Sequence, residues 1–386
     1  MITFIHTADW QLGKPFSRVA GEDQRALLRQ ERIDAVRRIG EVARARGAAF
    51  VVVAGDLFDS AHPTNQTVAT ACDAIASIGV PVYVIPGNHD HAGPGSVWEQ
   101  EFFRGESRER APNLHVLLDR TPVETEQAIL LPCPLERRQT VGDPCAWVHA
   151  LDRGHLDDRP RIVVAHGSTL DFQGESDEED LSGQPNLIQL DRLPAAEIDY
   201  VALGDWHGFV RAGDKAWYAG SHETDRFPKA GQTTGHVAVV RAGRGAPPIV
   251  EAVETGRTRW LVHAETFAGG SGPAALQALL DQLTRECGRG RALLRLSLSG
   301  SLGLAAHAEL DAILRSWQAS LLDLRLDRAV AIEPSPDEIE ALTAAGDPLI
   351  AHVAGQLVAE MRGDDADVAR TAVALLHEFA HAGGGR

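Results

Sequence analysis

The sequence has little lysine and little cysteine, and it has no long apolar run. Lys14, Lys215 and Lys229 are its lysines, so nearly all of its 37 basic residues are arginines. No apolar run reaches the roughly 18 residues that a membrane-spanning helix needs, and we expect neither a membrane span nor a signal peptide. The 4 cysteines show no CxxC spacing, which favours buried free thiols in a reducing cytoplasm.

The net charge of −17 is unusual for a protein that binds nucleic acid alone, because phosphate contacts normally supply most of the non-specific affinity. Bound divalent cations would offset the charge locally, and a partner would supply the remaining positive surface. Several arginines recur along one predicted helix, where we expect a solvent-exposed face. They are Arg25, Arg29, Arg32, Arg37, Arg38, Arg44 and Arg46.

Predicted strands and helices alternate through the first half of the chain. We expect strands at 2–6, 49–54 and 81–85, with helices at about 22–46 and 65–78 between them. Further strands are predicted near 114–118, 128–131, 161–165, 198–203, 216–219, 235–241 and 248–253. An alternating and then mixed order predicts an α/β fold with two packed sheets flanked by helices.

The pattern changes after Trp260, where strands and helices suggest a small α+β unit. Asp347-Pro348 then resembles a helix start, and two amphipathic helices predict a hairpin. This hairpin either folds onto its own protein or docks on a partner. We therefore predict three domains, at 1–256, 257–332 and 333–386.

Metal-ligand side chains end five of the predicted strands. They are Asp9, then Asp56 and Asp59, then Asn88, His89 and Asp90, then His166, then Asp205 and His207. Because strands of an α/β sheet deliver their carboxyl ends to one crevice, we expect these side chains to converge. Hard oxygen and imidazole donors in this order predict a two-metal hydrolase.

These segments resemble the calcineurin-like metallophosphoesterases, and within them the SbcD-type DNA repair nucleases. The resemblance rests on HTADWQLGKPF, AGDLFDSAHPT, PGNHD and WYAGSHE, and it covers about residues 1 to 240. It implies a four-layer sandwich of two mixed β-sheets flanked by helices, followed by a small α+β capping domain and a C-terminal helical hairpin. It also implies two divalent cations, DNA as substrate, an SMC-like ATPase partner of the SbcC type and a possible homodimer.

The resemblance also implies a ligand set. Asp56 would bridge the two cations, with Asp9 and His207 at the first position. The remaining ligands of the second position would be Asn88, His166 and Asp205.

Two of these positions depart from the family pattern, because Gln11 and Asp205 stand where similar nucleases have histidine. Gln11 would either ligate through its carbonyl oxygen or hydrogen-bond a metal-bound water. The resulting oxygen-rich set suits manganese, or magnesium, better than zinc.

Four further residues take roles outside the metal ligands. We expect His89 to protonate the leaving oxygen or to stabilise charge on the phosphate, and Asp59 to orient His89 and raise its pKa, as the matching pair does in related phosphoesterases. Tyr218 and Ser221 match a Tyr-x-Gly-Ser-x-Glu pattern of similar enzymes, and backbone donors of this turn would bind the substrate phosphate. A plain structural turn is the alternative for this pattern.

Three functions remain open from the sequence. The first is a two-metal DNA nuclease that acts in DNA end processing, repair or recombination with its ATPase. The second is a phosphodiesterase for a nucleotide or another small diester. The third is a catalytically degenerate DNA-end scaffold, which Gln11 and Asp205 would mark. The sequence leaves exonuclease or endonuclease activity undecided.

Overall fold

A computed structural model describes residues 1–151, 156–170, 185–229, 231–268, 272–363 and 365–382. The chain divides into two compact units, Met1–Thr258 and Arg259–Arg386. The segment predicted as a separate tail, 333–386, belongs to the second unit by this division.

The first unit contains two six-stranded sheets. Its strands are β1 (Ile2–Thr7), β2 (Val51–Val53), β3 (Val82–Val84), β4 (Leu114–Val116), β5 (Val123–Glu124), β6 (Ile129–Cys133), β7 (Arg161–His166), β8 (Tyr200–Gly204), β9 (Val210–Arg211), β10 (Ala216–Tyr218), β11 (His236–Ala242) and β12 (Ile249–Glu254). Its helices are α1 (Glu22–Arg46), α2 (Asn65–Ala76), α3 (Glu101–Arg110) and α4 (Ala146–His149).

Both sheets are mixed. One has the order β12-β11-β1-β2-β3-β4, in which β1 to β4 are parallel and β11 runs antiparallel to β1. The other has the order β5-β6-β7-β8-β10-β9, with a parallel centre from β6 to β10. Parallel neighbours need crossover connections, which α1, α2 and α3 supply in the first sheet. The predicted α/β fold with two mixed sheets and flanking helices is confirmed.

The two sheets pack face to face. Phe4 and Val52 of the first sheet belong to the same buried apolar cluster as Ile162 and Tyr200 of the second. Short, continuous apolar strands fit this arrangement because they are covered on both faces. The helix α1 covers the other face of the first sheet and ends at Gly47, whose left-handed φ of 59° closes the last turn.

The second unit begins with a three-stranded parallel sheet. Its strands are β13 (Arg259–Phe267), β14 (Ala292–Leu302) and β15 (Asp323–Ile332), in this order. The crossover helices are α5 (Pro273–Thr284) and α6 (Leu304–Ser320). Leu296 and Trp317 are fully buried between the sheet and these helices, so this unit has its own core.

Three helices complete the second unit, namely α7 (Pro336–Thr343), α8 (Pro348–Glu360) and α9 (Ala366–Ala382). Asp347 caps α8 as predicted, because its carboxylate accepts the backbone N–H groups of the first turn. Ala354 of α8 and Val373 of α9 pack against Leu304 of α6, so the tail folds onto its own unit.

No helix among the described residues is long and apolar enough to cross a membrane.

Candidate metal centre

The predicted ligands follow strands of both sheets at their carboxyl ends. Asp9 follows β1, Asp56 follows β2 and Asn88 follows β3 in the first sheet. In the second sheet His166 ends β7, and β8 leads directly to Asp205. The two sheets therefore bring their ligands to one edge, as the sequence predicts.

Four of the predicted ligands have a left-handed backbone, which non-glycine residues rarely adopt. The φ angles are 54° at Asp9, 40° at Gln11, 56° at Asp56 and 101° at Asp205. Such conformations cost about 1–3 kcal/mol each and persist where surrounding contacts enforce them. Here the first turn is hydrogen bonded to the second, since Gln11 N–H donates to the Asp56 carbonyl at 2.8 Å.

Glycines next to the ligands allow the turns to approach closely. A Cβ atom at Gly87 would lie 2.2 Å from Asp56 Oδ1, and one at Gly204 would lie 1.9 Å from the Ala54 carbonyl oxygen. A Cβ atom at Gly55 would lie 2.2 Å from His166 Nδ1. The Gly-Asp and Gly-Asn pairs of the sequence are therefore a steric requirement of the site.

The predicted ligands of the second position converge on His166. Its Nε2 atom lies 3.2 Å from Asn88 Oδ1, 3.6 Å from Asp56 Oδ1 and 3.8 Å from Asp205 Oδ1. The other ring nitrogen, Nδ1, is hydrogen bonded to the Ala54 carbonyl at 2.8 Å, which fixes the ring. Three carboxylate or amide oxygens around one imidazole fit a divalent cation such as manganese or magnesium.

Asp9, Asp56 and His166 offer ligand atoms that all lie within 4.8 Å of one another. Burial alone lowers the pKa of His166, but the charges of Asp56, Asp9 and Asp205 outweigh it and raise the pKa to about 9. Burial raises the pKa of Asp9 to about 8. So much buried negative charge is typical of a site built to receive a cation.

The first position is different, because the Gln11 carbonyl oxygen, which is one of the predicted ligand atoms, contacts Lys14; metal ligation by Gln11 stays a prediction. Gln11 Oε1 accepts a hydrogen bond of 2.6 Å from Lys14 Nζ, so its carbonyl oxygen points away from the acids. Its Nε2 atom donates to Asp56 Oδ2 at 3.2 Å and lies 3.5 Å from His207 Nε2. An amide –NH2 group has no lone pair for a cation.

Three residues that the sequence analysis did not select surround His207. Its Nδ1–H donates to the buried Asp225 carboxylate at 3.2 Å, and Arg226 Nη2 lies 3.3 Å from its Nε2. Lys14 Nζ forms an ion pair of 2.9 Å with the same Asp225. Burial, together with the charges of Arg226 and Lys14, lowers the pKa of His207 to about 4. Lys14 follows Gln11 by three residues, but no sequence pattern marks Asp225.

His89 is half-buried beside the acids. Its backbone N–H donates to Asp56 Oδ1 at 2.9 Å, and its Nδ1 is hydrogen bonded to the backbone carbonyl of Asp59 at 2.9 Å. Asp59 therefore contacts the His89 ring through its backbone carbonyl, and a catalytic role of its carboxylate stays a prediction. The Asp59 carboxylate lies 3.9 Å from Lys14 Nζ.

Asp90 has a structural role that the sequence analysis did not predict. It is fully buried, and its carboxylate accepts the backbone N–H groups of Phe58 at 3.0 Å and Gly87 at 2.7 Å. It thereby joins the turn that carries Asp56 to the turn that carries Asn88.

Tyr218 and Ser221 do not face a substrate through their side chains. Tyr218 is fully buried, and its hydroxyl donates to the Gly167 carbonyl at 2.9 Å. Ser221 Oγ is also buried and donates to the Glu223 carbonyl at 2.5 Å. Glu223 in turn accepts from Thr258 Oγ1 at 2.6 Å. These side-chain contacts fit the structural turn that was the alternative, and phosphate binding by the backbone of this turn stays a prediction.

Two arginines of α1 do not belong to a solvent-exposed face. Arg32 is buried and donates to the carbonyl oxygens of Trp10, Asp9 and Glu223 at 2.6–3.0 Å. Arg38 is ion paired with buried Glu223 at 3.0 Å.

The calcineurin-like phosphoesterase family matches residues 2–239. A protein of Bacillus subtilis (strain 168), named uncharacterized metallophosphoesterase YhaO, is 34% identical over 97 residues. This alignment covers 24% of the present chain and 24% of that relative. A solved structure matches 65% of this chain and 98% of its own, at 12% identity and a TM-score of 0.39, which carries no argument about activity. Because the family match extends over more than half of the sequence and includes every candidate metal ligand, the chain belongs to the calcineurin-like phosphoesterase family.

Proposed function

We propose that this protein is a divalent-metal-dependent nuclease that hydrolyses phosphodiester bonds of DNA. The observation that carries the proposal is the convergence of Asp56, Asn88 and Asp205 on His166 Nε2, with His89 beside them. A bound divalent cation, which we propose to be manganese, would supply Lewis-acid charge relief on the phosphate. Metal-dependent phosphoester hydrolysis is the activity of the family; DNA as the substrate is our proposal.

His89 supplies the proton for the leaving oxygen. A backbone carbonyl only accepts hydrogen bonds, so the contact with Asp59 keeps a proton on Nδ1. The second ring nitrogen, Nε2, is then the atom that delivers its proton when the ring is cationic. The Asp56 carboxylate holds the His89 backbone in place, so the general acid is positioned by the same residue that binds the cation.

A polymeric substrate is supported by the second unit and its tail, which a small-molecule phosphodiesterase does not need. Lys14 and Arg226 also place positive charge next to the acidic cluster, where a phosphate group would bind.

The test is hydrolysis of labelled single- and double-stranded DNA, and of bis-p-nitrophenyl phosphate, by the full chain. Manganese, magnesium, zinc and EDTA are compared, and His89→Ala is measured beside His91→Ala, a matched control two residues away. We expect manganese-dependent DNA cleavage that His89→Ala reduces by about 10²–10⁴-fold and that His91→Ala retains. Turnover of the small diester alone would replace the nuclease by a small-molecule phosphodiesterase, and inactivity on all substrates would favour a scaffold.

We further propose that α8 and α9 dock on an SMC-like ATPase. The hairpin keeps large apolar side chains exposed although its other face is packed, and Leu375 and Phe379 are 62% and 71% exposed. Such side chains on one helix are typical of an interaction surface.

Copurification with a coexpressed ATPase of this class should be lost in Leu375→Glu/Phe379→Glu and kept in the wild type. Retention by the double variant would disprove this docking surface. Homodimerisation through the first helices of the phosphoesterase domain stays a prediction.

A further inference from the structure

We propose that this chain binds one divalent cation tightly, at His166, and that Gln11, Lys14 and Arg226 take over the position where the resemblance places the other cation. The proposal rests on metal binding at the site and is independent of whether the substrate is DNA. It follows from the hydrogen-bonding chemistry of three side chains around His207.

The orientation of the Gln11 amide is fixed by its two neighbours. An ammonium group has only donors, so the Gln11 atom 2.6 Å from Lys14 Nζ must be the carbonyl oxygen. The opposite atom faces Asp56 Oδ2 at 3.2 Å, where an amide N–H donor is required. A flipped amide would set donor against donor and oxygen against oxygen at these contacts. Gln11 therefore presents N–H groups, not an oxygen ligand, to the first position.

Lys14 is held in this arrangement by a buried counter-charge. Its Nζ lies 2.9 Å from Asp225 Oδ2, and the Asp225 side chain is 2% exposed. The Asp59 carboxylate lies on the same ammonium at 3.9 Å. Because the ammonium is fixed between two carboxylates, it keeps its hydrogen bond to the Gln11 carbonyl, and the orientation of the amide is stable.

Arg226 contacts His207, one of the ligands that the resemblance places at this position. His207 donates from Nδ1 to Asp225, so the lone pair of the imidazole is on Nε2. That nitrogen accepts from Arg226 Nη2 at 3.3 Å. A guanidinium stays protonated at all relevant pH values, so a cation at His207 would have to displace a permanent positive charge.

The charges around the two positions differ. Around the first, the cations Lys14 and Arg226 lie beside His207, together with the carboxylates of Asp225 and Asp59. Around the second, His166 faces the carboxylates of Asp56 and Asp205 with the amide oxygen of Asn88. Repulsion by Lys14 and Arg226 thus weakens the binding of a divalent cation at His207 relative to one at His166.

The first experiment titrates Mn²⁺ into the EDTA-treated full chain, by calorimetry and by electron paramagnetic resonance. We expect one tightly bound ion per chain and the spectrum of an isolated Mn²⁺ centre. Two ions of similar affinity with an exchange-coupled spectrum would overturn the proposal, and so would the absence of tight binding. These measurements need no substrate, so they stay interpretable if DNA is not cleaved.

Variants then locate the ion. Asn88→Ala should abolish tight Mn²⁺ binding, whereas His207→Ala should retain it; the opposite pattern would overturn the proposal. Circular dichroism checks that each variant folds, and Asp205→Ala replaces Asn88→Ala if the latter does not.

A gain of binding gives the reverse test. Gln11→His/Arg226→Ala provides an imidazole and removes the guanidinium, so we expect a second Mn²⁺ per chain and an exchange-coupled spectrum. If the double variant still binds a single ion, then Gln11 and Arg226 do not govern the first position and the assignment is wrong.

Discussion

Asp225 is the buried residue at which three charged or ionisable side chains meet. It contacts Lys14 at 2.9 Å, His207 at 3.2 Å and Arg226 at 3.4 Å. Burial by itself raises the pKa of this carboxyl, but the charges of Lys14, His207 and Arg226 hold it well below the ordinary value of 3.8. Asp225 is thus ionised in the folded protein at neutral pH.

We expect Asp225→Asn to lower the free energy of unfolding by about 3 kcal/mol at neutral pH, because Lys14 loses its buried counter-charge. The depressed pKa means that the carboxylate stabilises the fold fully above the ordinary value of 3.8 and loses this effect as the pH falls through the lower folded value. The gap between wild type and variant should therefore be constant near neutrality and narrow in acid.

Urea unfolding in EDTA at a series of pH values measures this gap. Asp214→Asn is the matched control, because the Asp214 side chain is fully exposed and ion paired only on the surface with Arg211. No resolvable change is expected there. A gap that widens in acid would contradict the ionised state of Asp225.

At the residue scale, the sequence predicted the metal-ligand residues that follow strands, but it did not predict the ion pairs that side chains form between loops. Asp9, Asp56 and His166 were found because each follows or ends a buried strand. Asp225 lies several residues beyond β10 in a loop, and its partner Lys14 reaches it from the first turn. Contacts of this kind depend on tertiary structure, which no local pattern encodes.

The helix α1 positions the first metal-binding turn through one buried arginine. Arg32 Nε and Nη2 both donate to the Trp10 carbonyl, and Nη2 also donates to the Asp9 carbonyl at 2.8 Å. Its Nη1 donates to the Glu223 carbonyl at 3.0 Å. A planar guanidinium serves these carbonyls together, which the compact ammonium of lysine does not.

Arg32→Lys should therefore lower the free energy of unfolding by about 3 kcal/mol, because buried carbonyls lose charged donors. It should also weaken Mn²⁺ binding, since Asp9 loses the contact that fixes its strained backbone. Thermal unfolding and Mn²⁺ titration measure both effects. Arg29→Lys, on the same helix, is the control because Arg29 is ion paired with Glu22 at the surface. Equal behaviour of the two variants would refute this role of Arg32.

Whole elements were easier to predict than their burial. The predicted helix at 22–46 coincides with α1, Glu22–Arg46, because Gly47 marks its end. The predicted strand at 49–54 is shorter in the structure, Val51–Val53, since backbone pairing and not apolar character defines its ends. An arginine in a helix is exposed on average. Arg32 is buried because it donates to backbone carbonyls of the loops packed on α1, and this contact is visible only in the structure.

At the scale of the whole molecule, the charge of −17 opposes association with DNA. The positive groups of the site, Lys14 and Arg226, are already paired with Asp225. Under our proposal, an ATPase that docks on the tail would add phosphate contacts to those made at the site.

The two units have separate cores, so we expect two thermal transitions in the full chain, of which Mn²⁺ moves only one. A ligand stabilises the unit that holds its site, by about 2.7 kcal/mol at a free concentration of about 100 times the Kd. The metal centre lies in Met1–Thr258, whereas Leu296 is fully buried in the core of Arg259–Arg386.

Leu296→Ala should destabilise the second unit by about 3 kcal/mol through the cavity that it leaves. Differential scanning calorimetry should then show one transition raised by Mn²⁺ and the other lowered by Leu296→Ala, whereas a single transition that responds to both would mean that the units unfold as one.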